Sequence, residues 1–520
     1  MTGFFERHAL ALLTRADALF NRWYGWRFNP LYQSGTIVVS LYVTLLVTGL
    51  WLILFYRVGA PWASVERITS DLWLGNWVRG LHRYATDAAV AFTAIHAFRM
   101  FAQARSWGAR ALAWTSGGLL VALMLLCAWT GYVMVWDSFG ERLAREGARM
   151  ADTLPFLSEP VGRAFTGEQP VPSVFFFITL FAHIGIPLGM GVVFWLHVKR
   201  LQRPLLLPPR PLMWTVIGLL AAVAAVRPLV MAPEANPFIT PAEVPIDLFV
   251  AFWVPLGASL DAGQVLLVVA VTFAALLLVP ALTTRRGAAA LPPSFVDEEV
   301  CTGCTQCSID CPYGAIEMIA RRDQRPTLVA HVDPDLCVSC GICAGSCAPM
   351  GVGPEGRTGR DQLAQVHAFL DTTGIQVGSI VVVGCEHGAG RSAAALEAEG
   401  ATFQPVSCAG NLHTSVIERY LRAGAGGVLI LACPPRDCWT REGPRWLHER
   451  VYHDREAELQ ARVPRTRVRI AHVNAHEQPL ALAALRVFAA DVAALEAPVG
   501  HDEPAAEPVC EPSVEAEVST

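Results

Sequence analysis

The stretch LHRYATDAAVAFTAIHAFR, residues 81–99, decides the fold of the first half of the chain. It carries two histidines, His82 and His96, that stand fourteen positions apart in an apolar setting. A second apolar stretch, AHIGIPLGMGVVFWLH at residues 182–197, repeats this spacing. Fourteen residues of helix rise about 21 Å and return to almost the same face. Two such helices can present imidazoles at two depths, which predicts two metal centres stacked along the helix axes.

Apolar runs of about 20 residues, long enough to cross a bilayer, fill the first part of the chain. They cover residues 37–56, 85–101, 116–136, 174–197, 212–229 and 265–282. Hydrophobic residues make up 53% of the 520 residues and charged residues only 16%, which excludes a disordered chain and a single soluble domain. We therefore predict an all-α bundle of six transmembrane helices.

Basic residues lie on alternate connections between these runs. They are Arg7, Arg15, Arg22 and Arg27 at the start, then Arg105 and Arg110, then Lys199, Arg200, Arg203 and Arg210, and finally Arg285 and Arg286. Because basic connections stay on the cytoplasmic side, six crossings return the chain to that side. We expect a multi-pass protein of the bacterial cytoplasmic (inner) membrane with both termini in the cytoplasm. Residues 1–34 are expected to form an amphipathic arm lying on the membrane.

The second part of the chain has the opposite charge balance. Residues 291–520 carry 18 Lys and Arg against 30 Asp and Glu, whereas residues 1–290 carry 22 against 15. We therefore expect no nucleic-acid partner, since the sequence offers no basic patch. Eight of the 14 cysteines lie between residues 301 and 347, which is typical of metal binding rather than of disulfides.

Four glycines repeat the fourteen-residue spacing on the first and third helices: Gly35, Gly49, Gly117 and Gly131. A flat macrocycle lying against these helices needs the missing side chains, so the glycines as a set favour two haems, although any one alone would suit ordinary helix packing. Arg83 and Arg99 stand beside or near the histidines and are candidates to pair with haem propionates.

Residues 29–201, with their HR, HxFR, TGY and HxxxP pieces, resemble the four-helix di-haem core of cytochrome b in quinol-oxidising complexes. By this resemblance, His82 and His183 would hold the outer haem b, and His96 and His197 the cytoplasmic-side haem b. The resemblance also implies quinone or quinol as substrate, and a homodimer. Gln33 stands where the chloroplast-type protein has a cysteine for an additional haem, so no such haem is expected.

The likeness extends to residues 235–243, ANPFITPAE, which resemble the loop before the PEWY signature of subunit IV. Here Pro-Ile-Asp-Leu stands in place of that signature, without the glutamate that takes a quinol proton in the family. Asp247 is therefore a candidate proton group, with capping of the next helix as the alternative. Asp87, between the two ligands of the second helix, either relays protons to a quinone site or is a polar residue satisfied by neighbouring helices.

A doubled cysteine run follows the membrane part. Cys301, Cys304, Cys307, Cys311 and Pro312 form C-x2-C-x2-C-x3-C-P, and Cys337, Cys340, Cys343 and Cys347 repeat the cysteine spacing. In two-cluster ferredoxins three close cysteines hold one [4Fe-4S] cluster and the fourth reaches across to the other. This predicts Cys301, Cys304, Cys307 and Cys347 around the first cluster, and Cys337, Cys340, Cys343 and Cys311 around the second. Zinc is the alternative, but zinc sites seldom use such a doubled run.

Alternating helices and apolar strands after residue 360 predict an α/β domain with a largely parallel sheet. The expected strands are 379–384, 402–406, 427–432 and 468–473. Four cysteines fall at or just after strand ends: Cys385, Cys408, Cys433 and Cys438. Because strand ends gather sites in such folds, these four suit a [2Fe-2S] cluster. His387 and His413 are possible substitutes or hydrogen-bond donors beside it.

Residues 381–449, and above all GAGGVLILACPPRDCWTREG at 424–443, resemble the delta subunit of methyl-viologen-reducing hydrogenase. That family passes electrons between a hydrogenase or dehydrogenase and a heterodisulfide-reductase-like flavoprotein, which the resemblance implies as partners. Gly388 stands where the family usually has the second cysteine of a CxxC pair.

A competing motif overlaps this site. Residues 385–392, CEHGAGRS, resemble the phosphate loop of cysteine phosphatases, in which a thiolate attacks phosphorus and an arginine holds the oxyanion. The three further cysteines at later strand ends argue against this reading, so phosphatase activity remains a minor alternative.

The predicted organisation has seven parts: an arm at 1–34, a di-haem domain at 35–204, two further transmembrane helices at 205–286, a linker at 287–296, a 2x[4Fe-4S] ferredoxin domain at 297–352, a [2Fe-2S] domain at 360–496 and a disordered tail at 497–520. Cys127 and Cys510 are left without a cofactor. We expect a soluble partner to exchange electrons with the [2Fe-2S] domain, the [4Fe-4S] clusters to pass them to the cytoplasmic-side haem, and the haems to exchange them with quinone. The alternative function is a haem-free membrane anchor or assembly scaffold for a cytoplasmic redox complex.

Overall fold

The computed structural model describes residues 4–155, 160–165, 171–199, 201–236, 247–283, 291–372 and 374–496. The predicted tail at 497–520 with Cys510, most of the ANPFITPAE loop, and Arg200, Arg285 and Arg286 lie outside the described residues.

The first part of the chain is helical. Its helices are α1 (Phe4–Phe28), α2 (Ser34–Ile53), α3 (Pro61–Ser70), α4 (Gly75–Ala102), α5 (Ala111–Val135), α6 (Ser138–Ala151), α7 (Ser173–Val198), α8 (Arg210–Val226) and α9 (Ala262–Thr283). The six predicted apolar runs fall on α2, α4, α5, α7, α8 and α9. Within the described ranges, α2, α5, α7 and α9 are long and apolar enough to cross a membrane. Helix α8 is apolar but has 17 residues, and the 28-residue helix α4 is less apolar than these four.

The helices pair in the way that the glycine and histidine spacings require. Helix α2 packs on α4 and α5 packs on α7, so each helix with two histidines lies against a helix with two of the four glycines. Helix α8 packs on the back of α4, and α9 on α5. The outer faces carry exposed apolar side chains such as Leu50, Phe181 and Leu188, as expected where lipid replaces water.

A small two-layer unit follows. It contains β1 (Phe295–Val296), α10 (Gln306–Asp310), β2 (Ile316–Ala320), β3 (Leu328–Val332), α11 (Ile342–Gly345) and β4 (Val352–Gly353). Strands β2 and β3 form an antiparallel hairpin, with Ile316 opposite Val332, and β1 pairs antiparallel with β4. Its small core includes cysteine side chains among apolar residues.

The last part is an α/β domain. Its elements are α12 (Gly359–Thr372), β5 (Ile380–Cys385), α13 (Ala393–Ala398), β6 (Thr402–Val406), α14 (Thr414–Arg422), β7 (Gly427–Ala432), α15 (Gly443–Tyr452), β8 (Val468–His472) and α16 (Gln478–Glu496). The four strands are all parallel in the order β6-β5-β7-β8 and lie within one residue of the predicted bounds. Helix α16 is as apolar as a membrane span, but it packs on β7 and β8.

The strand order places a crevice at one edge of this sheet. The chain leaves β5 toward β6 on one side and leaves β7 toward β8 on the other. When the connections after two neighbouring parallel strands run in opposite directions, a crevice opens at the carboxyl ends of those two strands, here β5 and β7. Cys385 ends β5 and Cys433 follows β7, so the topology itself brings these two thiols together.

Candidate metal centres

The structure brings the four membrane histidines together as two pairs. The ring centroids of His82 and His183 lie 6.4 Å apart, and those of His96 and His197 lie 6.5 Å apart. We call His82 and His183 the distal pair, and His96 and His197, nearer to the C-terminal domains, the proximal pair. Two metal–nitrogen bonds of about 2 Å, with each ring nitrogen about 1 Å from its centroid, would span such a separation. Both pairs therefore fit one metal between facing imidazoles.

Hydrogen bonds hold three of these rings through one nitrogen. Thr48 Oγ1 lies 2.8 Å from His82 Nδ1, and Ser116 Oγ lies 3.1 Å from His197 Nδ1. His183 Nδ1 lies 2.9 Å from the carbonyl oxygen of Cys127. A partner at Nδ1 orients the ring and favours Nε2 as the metal ligand.

Each of the four glycines faces one of the four histidines. A side chain at Gly35 would begin 2.9 Å from the His96 ring, and one at Gly131 would begin 3.0 Å from His183. The corresponding distances are 3.2 Å from Gly117 to His197 and 3.4 Å from Gly49 to His82. A β-carbon would thus enter the space beside the ring at every position, which is where a flat macrocycle would lie.

One cavity connects both pairs. It has a volume of about 1480 Å³, and its walls include all four histidines and all four glycines. Sites for a single ligand usually measure about 300–1,000 Å³. The volume, the facing imidazoles and the glycine walls together fit two haems. We call this space the membrane cavity.

A charged cluster lines the distal end of the membrane cavity. Arg83 pairs with Asp87 and donates to Asp247 Oδ2 at 2.8 Å. Tyr132 also donates to Asp247, and its ring lies under the Arg83 guanidinium. The other oxygen of Asp247 accepts from the backbone N–H groups of residues 249 and 250, both at 2.8 Å. Asp247 therefore caps a turn, as the alternative expectation held, and it also lines the membrane cavity.

Arg99 is arranged differently from the predicted propionate contact. Its guanidinium donates to Asp17 at 2.8 and 3.1 Å and also pairs with Asp437. The side chain is 3% exposed, and Asp17 is fully buried. Burial raises the pKa of Asp17 to about 7, against the opposing charge of Arg99. Asp17 lies in α1 and Asp437 lies in the chain after β7, and both segments cover the end of the helix bundle. The spacing of the histidines gives no information about the position of either carboxylate.

Four of the ferredoxin cysteines line one small cavity, and they are the four expected around the first cluster. A small cavity of about 20 Å³ is lined by Cys301, Cys304, Cys307 and Cys347. Burial, together with the neighbouring Cys343, Cys311 and Cys337 thiols, raises the pKa of Cys340 well above its usual range. Burial likewise raises the pKa of Cys307 and of Cys343 to about 12 each. Thiols this reluctant to ionise become ligands only when a metal stabilises the thiolate.

The four C-terminal cysteines converge at the crevice. Cys433 Sγ lies 3.4 Å from Cys385 Sγ, and Thr440 Oγ1 lies 2.9 Å from Cys408 Sγ and 3.2 Å from Cys438 Sγ. All four thiols are buried. Hydrogen bonds from Cys408 and Thr440 lower the pKa of Cys438 to about 6, against the effect of burial. The crevice thus holds two pairs of buried thiols, Cys385 with Cys433 and Cys408 with Cys438.

The two predicted helper histidines lie in different places. His387 stacks on Trp439, with ring centroids 4.0 Å apart, and so stays beside the four C-terminal cysteines. His413 Nε2 lies 3.2 Å from the carbonyl oxygen of Cys347. His413 therefore belongs to the contact with the ferredoxin unit, because it precedes α14 on the side that faces that unit.

The phosphate-loop alternative lacks its geometry. Arg391 is exposed and its guanidinium lies 3.4 Å from His476 Nε2, while Cys385 is buried against Cys433. An oxyanion-binding arginine would have to share a pocket with the nucleophilic thiolate. The residues CEHGAGRS thus serve the four-cysteine site.

Comparison with known proteins identifies three consecutive parts. Residues 23–204 match the family model of cytochrome b/b6/petB. The membrane part is cytochrome b-like. Residues 300–351 match the 4Fe-4S dicluster domain, and residues 380–496 match the delta subunit of methyl-viologen-reducing hydrogenase. The three predicted resemblances are confirmed.

Two individual proteins are similar to parts of this chain. The cytochrome b subunit of menaquinol:cytochrome c reductase from Geobacillus thermodenitrificans is 23% identical over 177 residues, which is 33% of this chain and 79% of that subunit. A chain of a hyperthermophilic respiratory complex III superposes with a TM-score of 0.39 at 17% identity, covering 48% of this chain and 75% of that one.

Sequence reasoning missed three residues of these sites. Tyr132 is part of the TGY piece of the cytochrome b-like part but was not expected to contact Asp247. Asp437 stands between two predicted ligands in CPPRDC, where a charged residue is a usable signal. Asp17 carried no signal, because an acid on an amphipathic helix usually faces water.

Proposed function

We propose that the chain is a membrane-bound, quinone-linked electron-transfer subunit of a larger redox complex. The observation that carries the proposal is the single membrane cavity lined by two facing histidine pairs and four facing glycines. The matching family models for cytochrome b and for a 4Fe-4S dicluster domain support membrane electron transfer, with haem b and [4Fe-4S] clusters as its groups. We propose six transmembrane helices, α2, α4, α5, α7, α8 and α9.

The chain's own residues would hold two haem b groups. His82 and His183 would ligate the distal one and His96 and His197 the proximal one, with the glycines leaving room for the macrocycles. When bound, the haems would supply one-electron chemistry between quinone and the iron–sulfur clusters. The residues of the protein provide ligation, spacing and exclusion of water.

Quinone would exchange protons at the distal charged cluster. Asp247 is the first candidate, because its carboxylate meets both Arg83 and the Tyr132 hydroxyl at the cavity wall. Asp87 is the second, because it shares Arg83 with Asp247. A carboxylate held by an arginine and facing an apolar cavity can accept a proton from quinol and pass it on.

Three iron–sulfur clusters would lie outside the membrane part. Their proposed ligand sets are Cys301, Cys304, Cys307 and Cys347 for one [4Fe-4S], Cys311, Cys337, Cys340 and Cys343 for the second, and Cys385, Cys408, Cys433 and Cys438 for a [2Fe-2S]. Four buried sulfurs at the crevice support the last set. By the delta-subunit likeness, the soluble partner would be a heterodisulfide-reductase-like flavoprotein, a hydrogenase or a dehydrogenase on the cytoplasmic side of a bacterial membrane.

A dithionite-minus-oxidised spectrum tests the proposal. Purified protein should show a b-type band, and His82→Ala or His197→Ala should each remove about half of it. Cluster iron should approach about ten atoms per chain for two [4Fe-4S] and one [2Fe-2S]. A protein without any b-type band would instead be the haem-free membrane anchor.

A further inference from the structure

The segment from Cys433 to Glu442, here called the docking loop, lies directly on the cytochrome b-like part. Arg105 donates to the carbonyl oxygen of Cys438 at 2.6 Å. Arg436 of the loop donates to Gln33 Oε1 at 3.0 Å, two residues before the glycine that faces His96. At the other end, Arg203 donates to Glu442 at 2.8 Å. The loop is thus anchored to the starts and ends of three different membrane helices.

Cys438 reaches the wall of the membrane cavity. The twelve predicted cluster ligands all lie in described ranges, and Cys438 is the one among them that lines this cavity. Pro435 and Arg436 of the docking loop line it as well. The proximal pair, His96 and His197, lies on the same cavity. The C-terminal four-cysteine site therefore opens toward the proximal pair.

A buried ion cluster fixes this contact. Arg99, one helical turn after His96, pairs with Asp17 and with Asp437, the neighbour of Cys438. Gln103 Nε2 also donates to Asp437, at 2.6 Å. We call Asp17, Arg99 and Asp437 the Arg99 junction. It ties the residue next to a predicted cluster ligand to the helix that carries a predicted haem ligand.

The ferredoxin unit contacts the opposite side of the four-cysteine site. Asn411, three residues after Cys408, donates to the carbonyl oxygen of Gly341 at 2.9 Å. Arg450 is fully buried and donates to Ser346 Oγ at 3.0 Å and to the carbonyl oxygen of Gly410 at 2.7 Å. The ferredoxin segment between Cys340 and Cys347 thus packs on the segment that follows Cys408. The four-cysteine site thus contacts the ferredoxin unit through the segment after Cys408 and the membrane cavity through Cys438.

A second contact defines the competing route. Tyr313 of the ferredoxin unit lines the membrane cavity, and Gln202 donates its backbone N–H to the carbonyl oxygen of Pro312 at 3.2 Å. The ligand beside them, Cys311, does not reach the cavity wall. A route through this contact would have to pass the Tyr313 side chain, whereas the cluster ligand Cys438 itself lines the cavity.

We propose that the C-terminal four-cysteine site exchanges electrons directly with the proximal haem site through Cys438, and that the ferredoxin clusters reach the haem only through it. This rests on the proposed function, and it reverses the order expected from the sequence, in which the ferredoxin clusters stood next to the haem. In each step one electron would pass from a reduced cluster to a ferric haem. Two electrons that the haems then pass on, together with two protons, would reduce one quinone to quinol and return the haems to the ferric state. Arg99 and Asp437 act as positioning residues that hold the two sites together.

The test follows cluster oxidation rather than turnover. Full-length protein is reduced with dithionite, freed of reductant and mixed with decylubiquinone, and rapid freeze-quench EPR records the clusters while absorbance records the haem. In Cys438→Ala the [4Fe-4S] signals should disappear about tenfold more slowly or worse, while the haem oxidises at the unaltered rate. Unchanged oxidation of the [4Fe-4S] clusters in this variant would overturn the inference.

Two further variants separate cluster loss from damage to the docking loop. Cys408→Ala removes a ligand of the same site without touching the cavity wall, so it should reproduce the delay. Cys340→Ala removes a ferredoxin ligand and should leave the C-terminal cluster oxidising together with the haem. If the C-terminal cluster instead stays reduced in Cys340→Ala, its electrons reach the haem through the ferredoxin unit, along the route past Tyr313. Unaltered protein whose haems are not oxidised by quinone would contradict the proposed function itself.

Discussion

Replacement of Arg99 by methionine tests the Arg99 junction most directly. The change removes the cation that pairs with both of two buried carboxylates, since the Asp17 and Asp437 side chains are 0% and 8% exposed. Removing one partner of a buried ion pair costs about 3–5 kcal/mol, because a charge stays behind without compensation. At about 1.4 kcal/mol per tenfold, the docking equilibrium should weaken by about 100- to 5,000-fold.

Hydrogen exchange of the docking loop measures this effect. The backbone N–H of Asp437 donates to the carbonyl of Pro434 at 2.9 Å, and that of Arg441 donates to Cys438 at 2.9 Å, so both amides are protected while the loop is docked. If they exchange by undocking, their rates should rise by the same factor as the equilibrium falls. Arg15→Met, which removes an exposed arginine from the helix that carries Asp17, should leave the rates unchanged.

A charge-free variant separates electrostatics from packing. The triple change Asp17→Asn, Arg99→Met and Asp437→Asn removes the whole ion cluster and should restore most of the protection, because buried ion pairs can be replaced by neutral groups at little cost. Exchange rates in Arg99→Met within about threefold of the unaltered protein would refute the reasoning, since they would mean less than about 1 kcal/mol at the junction.

Three other predictions follow from the sites. Gly117→Val should lower the haem content from about two to about one per chain, because the new β-carbon begins 3.2 Å from His197. Gly185→Val is the matched control, because nothing lies within 4 Å of a β-carbon at that position. Equal haem contents in the two variants would contradict the argument that the glycines make room for haem. Asp247→Asn should slow quinol-driven haem reduction by about 100-fold and leave the haem spectrum unchanged. The control is Asp261→Asn, which replaces an exposed acid that caps the turn at Gln264 and should not slow the reaction. Normal rates in Asp247→Asn would mean that Asp247 serves only as a cap. Asp17 faces Arg99, Asp437, Tyr32 and Glu477, and its raised pKa means that the folded chain binds an extra proton between about pH 4 and pH 7, so the free energy of unfolding should fall as the pH rises through that window. Thermal unfolding in detergent should show a shallower fall with pH in Asp17→Asn, and identical pH profiles of the two proteins would contradict the assignment.

Periodic signals predicted the parts of this protein that depend on local sequence. The fourteen-residue spacing marked the four histidines and the four glycines, because helical geometry relates positions on one helix. Which glycine faces which histidine on the neighbouring helix came only from the structure. The strands of the α/β domain were predicted to within one residue, since buried parallel strands are continuous apolar runs.

Long-range contacts between charged residues were not predictable in the same way. Helix α4 begins at Gly75, ten residues before the apolar run expected at 85–101, because its polar first turns find partners elsewhere. Asn76 donates to the carbonyl oxygen of Leu229, for example, and Arg83 meets Asp247. Arg99 and Asp437 are 338 residues apart, and no local pattern marks either as the partner of the other. The sequence order of the modules likewise said nothing about which iron–sulfur site would face the haem end of the bundle.

The Arg99 junction also imposes a sequence of events during biosynthesis. Asp17 and Arg99 are synthesised early and can form a neutral pair as soon as α1 and α4 meet. Asp437 emerges 338 residues after Arg99, which at about 5–20 residues per second is roughly 20 to 70 s later. Arg99 can therefore pair with Asp17 first. The second carboxylate, Asp437, becomes available only when the chain has been translated through the docking loop. Closure of this junction would then mark the chains that have been translated that far.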